Sequence, residues 1–254
     1  MNKVKKNLIF IIIMILIVCL GGLLVVKLTD DNGTQDKISE KENVKKETKA
    51  KKVVFEPLVP ETSKNVKNSY FDDAVFIGDS RSEGLKVYGD LTNATFFTEV
   101  GMNVDKALSE PCIFYNGSSM TLENALDVSQ FKKVYIMLGI NEVNWPYPEV
   151  FIDKYSELLK MIQKKQPDAI IYVESMMPTG IGNSSGISNE KIISNNSLIY
   201  EMCRANKWYY IDMYNTLVGS DGYLSGEYSS DGIHMNTQGC QVWVDILKKH
   251  TIKR

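Results

Sequence analysis

Four short stretches of this sequence carry side chains that together could do acyl-transfer chemistry. They are Gly78-Asp79-Ser80-Arg81-Ser82-Glu83-Gly84, Gly101-Met102-Asn103, Gly139-Ile140-Asn141-Glu142 and Asp231-Gly232-Ile233-His234. A serine hydroxyl is a weak nucleophile at neutral pH and needs a base within hydrogen-bond reach. The chain has two histidines. His250 sits in a Lys-Lys-His-Thr-Ile-Lys-Arg tail that reads as a solvated helix end, which leaves His234 as the base for Ser80. Asp231 lies three residues earlier, close enough along one turn to meet the other imidazole nitrogen, fix the tautomer and stabilise an imidazolium. A tetrahedral intermediate also needs donors for its oxyanion. The Ser80 N–H at a helix start, the unobstructed N–H of Gly101 and the Asn141 side-chain amide are the candidates. Each residue alone reads better as a turn or capping residue. The four stretches in this order point to a site.

Those residues must be positioned by a scaffold, and the apolar pattern describes one. Short apolar runs at residues 74–77 (AVFI), 95–100 (TFFTEV), 134–138 (VYIML), 169–173 (AIIYV) and 208–211 (WYYI) read as strands. Between or after them lie helical patterns. Tyr155, Leu158, Leu159 and Ile162 share one face, as do Ile192, Ile193, Ile199 and Met202, and Val242, Val244, Ile246 and Leu247 belong to a last helix. Unbroken apolar strands alternating with helices predict a parallel sheet covered on both faces. Ligands bind such a sheet outside the carboxyl ends of its strands, and three of the four stretches directly follow a predicted strand.

The four stretches resemble the conserved blocks of the SGNH hydrolase superfamily, also called GDSL esterases/lipases. The resemblance spans about residues 74–245. It implies an α/β fold, a flavodoxin-like three-layer α/β/α sandwich with a mainly parallel five-stranded sheet. It also implies Ser80 as nucleophile, Asp231 and His234 as the rest of a triad, and Gly101 and Asn141 as oxyanion donors beside Ser80. Two positions depart from the pattern. Arg81 follows the serine where many members have an apolar residue, and Glu142 replaces a common aspartate, which puts a local loop hydrogen bond in question. Arg81, Glu142, Trp145 and Tyr147 are candidate substrate contacts. Trp145 and Tyr147 have rings suited to stacking on a sugar, and Arg81 has a charge suited to an anionic group.

Composition and charge set the remaining limits. Hydrophobic residues make up 44% of the 254 and charged ones 24%, which excludes a wholly disordered or collagen-like chain. The net charge of −2 offers no case for nucleic-acid binding. Residues 1–52 carry +5 and the remainder −7, so a basic leader precedes an acidic body. No His-rich tract, Cys pair or carboxylate cluster calls for a metal, and the chemistry needs no cofactor. Cys112, Cys203 and Cys240 allow at most one disulfide among them.

Three segments follow. Residues 1–27 hold Lys3, Lys5 and Lys6 and then an uncharged run of 19 residues, 8–26. As a helix that run spans about 28 Å, close to a bilayer core of about 30 Å. No small-residue cleavage site follows, so an uncleaved anchor is expected. The lysines put the N-terminus in the cytoplasm and the body outside. Residues 28–66 read as a disordered polar stalk and residues 67–254 as the hydrolase domain. An outward-facing esterase of this kind suits short acyl groups, such as O-acetyl, on a cell-surface or cell-wall glycan. The rival readings are a lipase, lysophospholipase or thioesterase on lipid esters, a surface acyltransferase, and a non-catalytic glycan-binding module. An acylated small molecule or glycan is the expected partner, with the membrane reached through one N-terminal helix; the sequence points to no protein partner.

Overall fold

The computed structural model describes residues 54–183 and 185–252. The expected anchor lies outside them. Among the described residues no helix is long and apolar enough to cross a membrane.

The strands and helices follow the chain in this order. β1 (Ala74–Gly78) leads into α1 (Ser80–Tyr88), and β2 (Thr95–Thr98) into α2 (Val104–Ser109). A hairpin of β3 (Ile113–Tyr115) and β4 (Ser118–Met120) comes next, then α3 (Leu122–Ala125) and β5 (Lys133–Met137). The long α4 (Pro148–Lys165) leads to β6 (Ile170–Glu174), and α5 (Asn189–Asn206) to β7 (Tyr209–Ile211). α6 (Met213–Leu217) and α7 (Thr237–Lys249) complete the chain. β2, β1, β5, β6 and β7 form, in that order, one five-stranded sheet whose paired strands are all parallel. This is the covered parallel sheet that the apolar pattern predicts and the three-layer α/β/α arrangement that the resemblance implies, with every expected strand present to within two residues at each end.

The sheet separates two apolar layers because successive side chains along a strand point to opposite faces. Val75, Ile77, Val134, Ile136, Ile171 and Val173 face one layer, which α4 and α5 cover with Leu158, Leu159, Ile192 and Ile199. Ile193 is half exposed, because it follows Ile192 by about 100° around the helix and leaves the buried face. The opposite layer is aromatic. Phe96, Phe76, Tyr135 and Tyr172 stand side by side in the strand register, with successive ring centroids 4.9, 4.8 and 4.7 Å apart. Leu85 of α1 and Trp243, Val244 and Leu247 of α7 pack in that layer.

Three features differ from the sequence reading. The expected stalk does not run free to residue 66. Val59 is buried and bonds Tyr210 O through its N–H at 2.9 Å, while Thr62 and Val66 donate to Lys249 O and Lys248 O. Residues 54–66 therefore belong with the domain; their polar composition hid backbone pairing, which uses no side chain. The β3–β4 hairpin was not anticipated. Asn116 and Gly117 both have positive φ, 48° and 80°, as a two-residue hairpin turn requires. His250 is not a free solvated end: its Nδ1 lies 2.8 Å from Ile246 O at the C-terminus of α7. Cys112, Cys203 and Cys240 are all free thiols.

Candidate active site

Ser80 is the first residue of α1, immediately past the end of β1. Asp79 caps that helix by accepting from the Arg81 N–H at 2.9 Å. The strand-to-helix turn requires glycine at position 78. A Cβ there would lie 2.8 Å from Met137 O and collide with the Ser82 side chain. This tight turn holds Ser80 at the carboxyl end of the sheet, with its N–H among the unpaired donors of a helix start.

The loop between α6 and α7 brings the base to it. Ser80 Oγ and His234 Nε2 are 2.9 Å apart, and His234 Nδ1 is 2.7 Å from Asp231 Oδ2. The other Asp231 oxygen accepts from the N–H groups of Ile233 and His234, each at 2.8 Å, and from Ser229 Oγ at 3.1 Å. Burial raises the pKa of the Asp231 carboxyl, but the His234 ring and these N–H donors outweigh it and hold the group well below the usual carboxylate range. Ser229 is a residue that spacing alone did not single out. It is buried, and it braces the carboxylate from behind.

The two other candidate oxyanion donors, Gly101 and Asn141, lie on loops that are tied to each other. Glu99 N–H bonds Gly78 O at 3.2 Å, which docks the loop after β2 against the end of β1. Gly101 follows in a left-handed conformation, φ 72°, with open space where a side chain would be. Asn141, on the loop after β5, donates through Nδ2 to Met102 O at 2.8 Å. That nitrogen carries a second hydrogen for a ligand.

The departures from the family pattern resolve into supports. Glu142 is 1% exposed, and its Oε1 accepts from Val104 N–H at 2.7 Å, so the longer acid makes the loop bond that its identity put in question. Burial pushes its pKa up to about 7. Arg81 is also 1% exposed, and its Nη1 reaches Met177 O at 3.4 Å. Burial disfavours its charge, while the carboxylates of Asp79 and Asp231 favour it. Neither side chain faces a substrate, contrary to expectation: α1 and the Asn141 loop turn both inward. Trp145 packs partly against the core, while Tyr147 is 63% exposed.

Residues 76–242, well over half of the chain, match the GDSL-like Lipase/Acylhydrolase family model. No curated protein sequence matches. Among solved structures, a GDSL-like lipase from Bacteroides thetaiotaomicron is 17% identical, covers 73% of this chain and 89% of its own, and superposes with a TM-score of 0.54. A lipase/acylhydrolase from Enterococcus faecalis is 15% identical over 68% of this chain and 92% of its own, with a TM-score of 0.54. An acetyl xylan esterase is 18% identical over 70% of this chain and 99% of its own, with a TM-score of 0.51. At these identities the structures share the fold; membership rests on the family match. The chain belongs to the GDSL-like lipase/acylhydrolase family, and it is an ester-hydrolysing enzyme.

Proposed function

We propose that this enzyme is a serine esterase that removes short acyl groups, O-acetyl above all, from a cell-surface or cell-wall glycan. The observation that carries the mechanism is the unbroken line Ser80–His234–Asp231, with gaps of 2.9 and 2.7 Å. Ser80 Oγ attacks the ester carbonyl while His234 Nε2 takes its proton. The Ser80 and Gly101 N–H groups and the Asn141 amide receive the oxyanion. As the tetrahedral intermediate collapses, His234 gives the proton to the leaving alcohol and an acyl-Ser80 ester remains. Water then attacks that ester, with His234 again as base, and releases the acid. Asp231 keeps the imidazole in the right tautomer and stabilises it when charged.

The glycan part of the proposal is supported by placement. We infer from Lys3, Lys5 and Lys6 and the uncharged run 8–26 that the chain is anchored with its N-terminus in the cytoplasm, so that the catalytic domain works outside, where acylated polymers lie. An acetyl xylan esterase shares the fold. The test is turnover of p-nitrophenyl acetate, butyrate and octanoate by the protein and by its Ser80→Ala variant. Serine-dependent rates that fall with chain length are expected. A preference for octanoate would overturn the short-acyl reading in favour of a lipase. Loss of the domain from intact cells on external protease treatment is the matching test of placement; full protection would refute it.

A further inference from the structure

Beside the Asp231 loop lies a cleft of about 570 Å³ that the proposed chemistry leaves unused. That size is in the range of small-molecule sites, about 300–1,000 Å³. One wall is Gly180 and Ile181; the other is the segment that runs from Gly219 towards Gly232. The walls meet backbone to backbone: Gly180 N–H bonds Gly232 O at 2.8 Å, and Leu224 N–H bonds Thr179 O at 3.1 Å. Gly232 directly follows Asp231, so the cleft shares a wall with the loop that carries the triad acid and base. The buried Asn189 side chain fastens the turn above by donating to Gly222 O at 2.8 Å. The cleft is thus held open by hydrogen bonds before any ligand arrives.

Its lining selects a class of ligand. Ile181 and Tyr223 are 72% and 40% exposed, and an open aromatic ring suits the C–H face of a sugar. Ser220, Ser225 and Ser230 present hydroxyls. Asp221 uses Oδ1 for the Tyr223 N–H and leaves Oδ2 for a ligand hydroxyl. The lining contains a carboxylate and no Lys, Arg or His, which repels phosphate- or carboxylate-bearing polymers. Its serines and glycines do not form the apolar groove that a long acyl chain needs. We propose that this cleft is a subsite for a neutral pyranose ring of the acylated glycan, with Tyr223 as its platform and Asp221 as acceptor for its hydroxyls. The proposal rests on the reading of this enzyme as a glycan esterase, in that the bound ring delivers the ester to Ser80.

The experiment compares the full-length protein with Tyr223→Ala and Asp221→Asn on two kinds of ester. One is partially O-acetylated chitotetraose and xylotetraose; the other is p-nitrophenyl acetate. Each variant is expected to lower kcat/KM on at least one tetrasaccharide tenfold more than on p-nitrophenyl acetate, chiefly through KM. Equal losses on both kinds of ester would show a merely structural role and overturn the subsite, as would full retention of tetrasaccharide turnover. Calorimetric binding of the unacetylated tetrasaccharides to Ser80→Ala protein separates the two proposals. Binding that Tyr223→Ala weakens at least tenfold supports the subsite even if no ester is hydrolysed. Serine-dependent p-nitrophenyl acetate turnover without any tetrasaccharide binding keeps the esterase and removes the subsite.

Discussion

Asp231 and Glu142 are both carboxyl groups at the carboxyl end of one sheet, and their surroundings drive them in opposite directions. Asp231 stands on a half-exposed loop and accepts four hydrogen bonds, from the His234 ring, two backbone N–H groups and Ser229. Those donors hold it ionised far below neutral pH. Glu142 is enclosed, with one N–H donor on Oε1 and no partner on Oε2, and burial moves its pKa to about 7. The difference shows how the fold divides labour. The acid that serves the reaction keeps its charge through the donors gathered around it. The acid that braces the loops sits where it need not stay charged, and what it contributes is the bond to Val104 N–H.

The comparison can be broken first on the reactive side. Ser80→Ala or His234→Ala should lower kcat by roughly 10⁴–10⁶, and Asp231→Asn by about 10⁴, with the folded state retained. Steady-state rates with p-nitrophenyl acetate and thermal melts measure both. A loss below a hundredfold for Ser80→Ala would remove the serine from the role of nucleophile. A smaller effect comes from the tie between the loops. Asn141→Ala should cost about 10²–10³ in kcat if its amide meets the oxyanion. Because its other hydrogen bonds Met102 O, Asn141→Asp, which keeps the size but lacks the donor, should lose as much. A drop below tenfold in both would assign Asn141 to loop support alone.

The smallest effect sharpens the other side. Glu142 has a folded pKa above its ordinary value of 4.5, so the folded protein keeps a proton that the unfolded chain has released. Its contribution is therefore fully present below about pH 4.5 and declines as pH rises through about 7. At about 1.4 kcal/mol per pKa unit the whole change is no more than about 4 kcal/mol. Glu142→Gln keeps an oxygen for Val104 N–H and cannot ionise. Its melting temperature should fall less between pH 6 and 8 than that of the unaltered protein. Glu174, which burial pushes to about 8 against the Trp243 N–H bond, titrates in both proteins and so cancels in the difference. Parallel pH profiles for the two proteins would show that Glu142 does not titrate there.

Much of the architecture is legible from side-chain type. Val134–Leu138 and its counterparts are apolar without alternation because a parallel sheet under two helical layers buries both faces of its strands. Ser80, His234 and Asp231 are legible because the chemistry admits few residue types and the chain has only two histidines. The Asn116-Gly117 hairpin was also readable, since two adjacent residues suited to positive φ mark such a turn. Other features carried no such signal. Arg81 reads in sequence as a charge for an anionic substrate group, yet it lies in the first turn of α1 and points inward towards Met177. The backbone of residues 54–66 pairs with β7 and α7 through N–H and C=O groups that every residue owns.

By itself, then, the sequence determined which groups are present to react and how its strands and helices alternate. Both follow from local properties: residue chemistry and the period of apolar side chains. Only the tertiary structure decided distances and environments. Ser80 and His234 are separated by 154 positions, and their 2.9 Å approach depends on how β1 and the last loop meet across the sheet. The protonation of Glu142 and the cleft beside Gly232 depend in the same way on which segments exclude water from which groups. That exclusion is a property of packing between distant parts of the chain, and no local pattern encodes it.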